Sequence, residues 1–407
     1  MQLKLKDRYL PVNLRQSGNP NLRMLVGTRV RKSPYFHKSL EHGCWAVTVY
    51  NEMYHPRAYF PPEADGLLGE YYYLTHNVTL WNVAVERQIQ IKGPDALEFA
   101  DLLTTRDLKK KAPVNQARYV ILCDEKGGII NDPVLLRIAE DEIWLSISDS
   151  DVVLWAKGVN YGLKYDVEIN QIDAAPVQVQ GPYSRQVMKK LFGDAIDGLK
   201  YYKLWHTTLD GMNVVVSRTG FSAEVGYEIY LHDATVYADK LWDRILEVGE
   251  EFDIRVIAPG HIRRIEGGIL SYGQDMDIEN NPFEVGLDWQ VDFSKENFIG
   301  KEALWRIKQK GVQQKLVGLT FGGPRVSWYN PDFWLVLDKD GEKELGYITS
   351  AFYSPKLGTN IALAMMPIDK TETGTRLSVR LPEQSRPIPA EIHSVPFYDP
   401  GKEIPAS

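Results

Sequence analysis

Apolar residues recur at every second position through residues 80–93 (LWNVAVERQIQIKG), a period that predicts paired strands. The same alternation predicts a strand over 45–53, and the Pro-rich run 56–66 after it predicts a loop. In residues 93–105 the period changes. Leu97, Ala100 and Leu103 fall on one face of a helix whose first turn accommodates Pro94. Residues 118–124 and 127–138 bracket a turn at Glu125-Lys126-Gly127-Gly128, where the glycines supply the positive φ that a hairpin needs. Further strands are predicted over 142–148, 166–170, 176–181, 212–220 and 226–231. Helices are predicted over 149–162 and 182–193, the second stopped by Gly193. A long amphipathic helix spans 233–252 with Asp233 as its cap, and 258–273 starts near a proline and continues as a helix.

After residues 298–311 the texture shifts to short strands and turns, at 315–321, 333–338, 344–352, 360–366 and 376–381. That pattern predicts a small all-β C-terminal domain. The body before it mixes strands and helices without regular alternation, which favours α+β over a doubly wound fold. Residues 1–30 are polar and irregular and read as an arm suited to packing on a partner.

Composition narrows the function classes. The chain has 407 residues, 44% hydrophobic and 25% charged, with a formal net charge of −7. An acidic chain of this kind is not a nonspecific nucleic-acid binder. Cys44 and Cys123 are its only cysteines, too few for a disulfide framework or a Cys-based zinc site. The opening residues lack the apolar segment of a signal peptide, and no run approaches the roughly 18 apolar residues of a membrane span, so a cytoplasmic setting is expected. Ten Trp and 22 Tyr fill either cores and interfaces or a pocket for a cation or flat heterocycle.

Familiar catalytic signatures are missing: no G-x-S-x-G, no phosphate-binding G-x-x-x-x-G-K-[ST], no H-E-x-x-H and no G-x-G-x-x-G after a strand. The eight histidines are scattered, and the one close pair, His37 and His42, reads as surface. What stands out is two carboxylates in apolar settings, Asp132 in GGIINDPVLL and Glu228 in GYEIYL. Each has a structural reading, since Asp before Pro shapes turns and a strand Glu can face solvent. Each also suits a reduced pterin, whose edge presents several N–H donors to an ionised carboxylate.

Several motifs resemble the aminomethyltransferase (glycine-cleavage T-protein) family. GGIINDPVLL is similar to the motif in which an acidic residue meets the folate, and RTGFSAEVGYEI (218–229) to the family's Arg-Thr-Gly bend and Glu strand. IRRIEGGILSYGQDM (262–276), NPFEVGL (281–287), NFIGKEAL (297–304) and residues 346–366 continue the resemblance in order, from about 45 to 398. Within the family, VRKSPYF (30–36), TVYNEM (48–53), WNVAVERQIQIKGPDAL (81–97), TTRDL (104–108) and WLSISDSD (144–151) resemble the tetrahydrofolate-dependent dimethylsulfoniopropionate demethylases, and Asn131-Asp132 stands where T-proteins typically have Asp-Asp. The bend Phe221-Ser222-Ala223-Glu224-Val225-Gly226 departs from that branch, which tends to have Trp followed by Ser-Lys-Gln-Gly-Gly, and leans toward T-protein.

The resemblance implies an α+β cloverleaf of three domains around a central folate channel: an arm over 1–30, a folate-binding catalytic region of two interleaved domains over 31–312, and a C-terminal β-barrel over 313–407. It implies an enzyme that moves a methyl group from a sulfonium donor, dimethylsulfoniopropionate first among them, to N5 of tetrahydrofolate, giving 5-methyltetrahydrofolate and a methylthio acid. Aminomethyl transfer in glycine cleavage, or demethylation of another amine, onium compound or methoxyarene, are the alternatives. Asp132 is the implied catalytic group, and Asp132, Glu228, Tyr230 and Tyr119 the implied folate contacts. Phe221, Tyr35 and Phe36 are candidates for the cation, and Arg31 and Lys32 for the donor's carboxylate. The partner is a small-molecule methyl donor, with no metal, nucleic acid or membrane; a homodimer is a further expectation.

Overall fold

The structure, a computed structural model, describes residues 26–382 and 384–407, so most of the arm assigned to 1–30 lies outside it. The strand Gly226–His232 sits centrally in a six-stranded sheet of order Leu204–Leu209, Met212–Ser217, Gly226–His232, Ala174–Gln180, Thr79–Asn82 and Arg255–Val256. Only the last pair is parallel. Every second residue of the central strands, Val177 and Val179, Ile229 and Leu231, packs on one side with Leu241, Trp242 and Ile245 of the helix Ala234–Gly249. Strand alternation then sends Gln178, Glu228 and Tyr230 to the other side. There Tyr230 meets Leu136 and Trp144 of a second, five-stranded sheet, of order Glu168–Gln171, Gln88–Lys92, Glu142–Ser146, Val134–Ala139 and Gln116–Tyr119.

The pairing expected within residues 80–93 is corrected here. Thr79–Asn82 joins the six-stranded sheet and Gln88–Lys92 the five-stranded one, so the segment between them crosses from one sheet to the other. The period-two pattern persists because both strands are buried by their own sheets.

Other expectations shift more modestly. The Pro-rich run begins as strand, since Met53–Ala58 pairs with Ala46–Tyr50, and it ends in an unanticipated helix, Gly66–His76. The helix in 258–273 is confined to His261–Glu266, because Gly267 ends it and Gly268 takes a φ of +66°. Asp233 does not cap the long helix. It lies at φ 51°, and the Thr235 N–H at the helix start is met instead by the Asp173 carboxylate at 3.1 Å.

The C-terminal strands close into a six-stranded barrel, with a strand Ile388–His393 that the sequence pattern had not marked. A fully buried ion pair ties the barrel to the body. Arg264 binds Asp275 and donates to Ser350 Oγ at 2.8 Å, while Thr349 and Ser350 on the barrel strand Glu344–Ser354 each donate to Asp275 at 2.6 Å. Both charges are hydrogen-bonded on several sides, which is the condition for such a pair to be tolerated inside a protein. Among the described residues, no helix is long and apolar enough to cross a membrane.

Candidate active site

A cavity of about 930 Å³ opens where the two sheets, the crossover and the barrel meet. Glu86 from the crossover, Asp132, Gln178, Phe221 and Glu228 all reach its wall. The volume lies in the range of small-molecule sites.

Glu228 is held in one orientation. It stands opposite Gln178 in the strand register, and Gln178 Nε2 donates to its Oε1 at 2.6 Å. Tyr230 OH, on the same strand face, donates to Oε2 at 2.7 Å, and Thr219 Oγ1 donates to the same oxygen. A carboxylate offers about four acceptor sites, so roughly one remains, on Oε1. Burial raises the Glu228 pKa, and its three hydrogen-bond donors counteract that rise. Tyr230 itself is fully buried and acts on the cavity through Glu228.

Asp132 follows the short strand Ile129–Asn131. Tyr119 OH donates to its Oδ2 at 2.9 Å and Ser148 Oγ to its Oδ1 at 2.5 Å. Burial pushes its pKa up to about 7, with Ser148 and Tyr119 pulling the other way. A carboxyl that titrates near neutrality is suited to exchanging a proton during turnover.

Glu86 is the residue that sequence reasoning missed. Ser146 Oγ donates to its Oε2 at 3.0 Å. Burial, and after it the charge of Glu228, pushes its pKa up to about 8. Three carboxyls thus share one cavity, and desolvation is the largest influence on each.

Phe221 is partly buried, lines the cavity and packs on Leu74, Trp81, Val83 and Ile257. Toward the surface, Trp289 is 56% exposed, with the Arg106 guanidinium 5.3 Å from its ring centre. The other four substrate candidates stand outside the cavity wall. Tyr35 is wholly buried in the helix–sheet core, its hydroxyl donating to the Ala175 carbonyl at 3.3 Å. Phe36 stacks on Tyr54 at 5.3 Å. Arg31 pairs with Glu52 at 3.0 Å on the surface, and Lys32 is exposed. Two of the four are thus core residues and two lie at the surface, and none reaches the carboxyls' cavity.

The residues present fit a reduced pterin. Glu228 faces the cavity with acceptor capacity left in a fixed orientation, matching a heterocycle edge rich in N–H donors.

Comparison with known proteins places the chain in a family. Residues 35–295 match the family described as GCVT N-terminal domain, and residues 314–399 the glycine cleavage T-protein C-terminal barrel domain. The chain is 35% identical over 360 residues to the dimethylsulfoniopropionate demethylase DmdA of Ruegeria pomeroyi, covering 88% of this chain and 96% of that one. It is 33% identical over 377 residues to the aminomethyltransferase of Thermotoga maritima, covering 91% and 98%. The crystal structure of the aminomethyltransferase T of Bartonella henselae superposes with a TM-score of 0.79, at 22% identity, over 90% of this chain and 98% of that one, and so shares the fold. The chain belongs to the glycine-cleavage T-protein family and is a tetrahydrofolate-dependent transferase of it.

Proposed function

We propose that this enzyme moves a methyl group from a sulfonium donor, dimethylsulfoniopropionate being the best-supported one, to N5 of tetrahydrofolate. The observation that carries this reading is the cavity itself. Asp132, Glu228 and the part-buried Glu86 face it, and burial is the largest influence on the pKa of each, so a ligand that brings N–H donors or a cation is what the cavity suits. The 35% identity to a dimethylsulfoniopropionate demethylase supports the same donor.

Tetrahydrofolate, when bound, supplies the nucleophilic N5 amine. A sulfonium methyl needs no acid or metal to activate it, because its leaving group is a neutral thioether. In the transfer the carbon–sulfur bond breaks with its electron pair on sulfur, a carbon–nitrogen bond forms, and the nitrogen's proton departs. Glu228, its carboxylate fixed by Tyr230, Thr219 and Gln178, would hold the pterin edge. Asp132, its orientation set by Tyr119 and Ser148, would face the N5/N10 side and would take up the proton that the nitrogen loses. Phe221 offers a ring face to the onium group, which has no N–H or O–H to donate. Positioning, with water excluded from the reacting atoms, accounts for the rate.

Aminomethyl transfer is the competing reading, favoured by the bend Phe221–Gly226 and by aminomethyltransferase relatives of 31–35% identity. Incubating the enzyme with tetrahydrofolate and a panel of sulfonium, amine and methoxyarene donors separates the readings. Formation of 5-methyltetrahydrofolate from the sulfonium compounds alone, read by mass spectrometry, supports the proposal; its formation only from another donor class, or formation of 5,10-methylenetetrahydrofolate from an aminomethyl-lipoyl protein instead, rejects it.

A further inference from the structure

Glu86 differs from the other two carboxyls in how it is satisfied. Both oxygens of Glu228 and both of Asp132 accept hydrogen bonds from protein side chains. Glu86 accepts only one such bond, from Ser146 Oγ to Oε2, and among the described residues its Oε1 has none. Its side chain nonetheless lines the cavity. The neighbouring basic residue does not compensate it. Arg87 turns away, its Nη1 3.9 Å from Glu52 and its Nη2 donating to the Ser150 carbonyl at 3.5 Å.

Nor does the backbone need this side chain. The crossover is closed by its own bonds, Glu86 N–H to the Val83 carbonyl at 2.9 Å and Arg87 N–H to the Val85 carbonyl at 3.0 Å. A carboxyl desolvated beside two others, with a bare oxygen and no cation, is costly to keep ionised unless something else enters the cavity. A permanent cation is such an entrant. A sulfonium makes no hydrogen bond, so an oxygen left without a donor suits it better than a saturated carboxylate does.

We propose that Glu86 is the counter-charge for the cationic group of the methyl donor, selecting charged donors over neutral ones of the same shape. The inference rests on the methyl-transfer reading above and assigns to Glu86 the electrostatic part of donor recognition, beside the ring of Phe221. Burial and the Glu228 charge hold Glu86 protonated up to about pH 8, so a cation that binds there displaces a proton. The titratable groups facing it are Glu228, Asp132, Tyr50 and Tyr230, none of them basic.

The test uses the full chain with tetrahydrofolate present, and two ligands of matched shape that share a carboxylate: dimethylsulfoniopropionate with its sulfonium end, the charged ligand, and 4-methylpentanoate with an uncharged isopropyl end, the neutral one. The wild type should bind the charged ligand more tightly, and more tightly as pH rises toward 8. Glu86→Gln should weaken the charged ligand roughly ten- to hundredfold and flatten its pH dependence, leaving the neutral ligand and tetrahydrofolate unchanged. Glu86→Asp, which keeps the charge, should retain part of the preference. Circular dichroism melts establish that both variants fold. Equal weakening of both ligands, an unaltered preference, or a loss confined to tetrahydrofolate would each overturn the assignment. Should the wild type form no 5-methyltetrahydrofolate while the charge preference and its loss in Glu86→Gln are both observed, the cation site stands and the transfer reading alone fails.

Discussion

Glu228→Gln tests the pterin anchor with the least collateral damage. Glu228→Ala would strand three buried donors, Gln178 Nε2, Thr219 Oγ1 and Tyr230 OH, at about 1–3 kcal/mol each, and would confuse lost binding with lost folding. Glutamine keeps the shape and one acceptor oxygen. Placed with that oxygen toward Thr219 and Tyr230, its amide nitrogen faces Gln178, whose own amide can rotate to present oxygen, since the Phe221 N–H it would release lies at 3.5 Å. The fold is therefore expected to survive. What is lost is the charge and, on the Oε1 side, the acceptor left for the pterin. A hydrogen bond to a charged group contributes about 1.5–3 kcal/mol, so the substitution should cost about that much tetrahydrofolate binding. That corresponds to a rise in Kd of roughly tenfold to a hundredfold or more. Isothermal calorimetry measures it directly, with a thermal melt as the control for folding. A well-folded Glu228→Gln protein that binds tetrahydrofolate within about twofold of wild type would refute the anchoring role.

Asp132→Asn should lower kcat more than it raises the donor KM, because the group acts on the transferring centre; an unchanged kcat in steady-state assays would remove that role. If the ionised form is the competent one, kcat in the wild type should rise with pH through a midpoint near 7, and the variant's profile should lack that step. Phe221→Leu should raise KM for a sulfonium donor roughly two- to thirtyfold, given about 0.5–2 kcal/mol for a cation–π contact, with tetrahydrofolate affinity nearly intact. Glu86→Gln should stabilise the ligand-free protein at alkaline pH. The folded pKa of about 8 lies above the unfolded carboxyl's, so the unfolded state ionises first and wild-type stability falls as pH climbs toward 8. The gap in melting midpoint should therefore be widest at about pH 9 and close by about pH 5; a variant less stable at alkaline pH would contradict this.

The sequence made Asp132 and Glu228 visible because each interrupts an apolar stretch in a way that secondary structure alone does not require. Glu86 was hidden by the same logic. In a segment that alternates at period two, a polar residue is counted as facing water, and LWNVAVERQIQIKG alternates well. No local pattern states that its two strands belong to different sheets, so nothing marked the residue between them as facing a cavity. Gln178 left a fainter trace, since the glutamines of PVQVQG fall on the face opposite the valines, but the partner across that face lies 50 residues away. The helix Gly66–His76 was masked by the prolines before it. It carries Glu70, buried and accepting from the N–H groups of Tyr59, Phe60 and Ala258, contacts decided by tertiary structure rather than by helix propensity. The candidates Arg31, Lys32, Tyr35 and Phe36 were selected by residue type, and type does not reveal which side of a segment meets a cavity.

The most direct test of the account is the fate of a labelled methyl group. Dimethylsulfoniopropionate carrying trideuteromethyl groups, incubated with tetrahydrofolate and the enzyme, should yield 5-methyltetrahydrofolate that retains all the deuterium of one methyl group. The methylthio acid should form in equal amount, with both read by mass spectrometry. Folate that remains unlabelled while the donor is consumed, or label that enters only as a methylene group, would contradict methyl transfer between them.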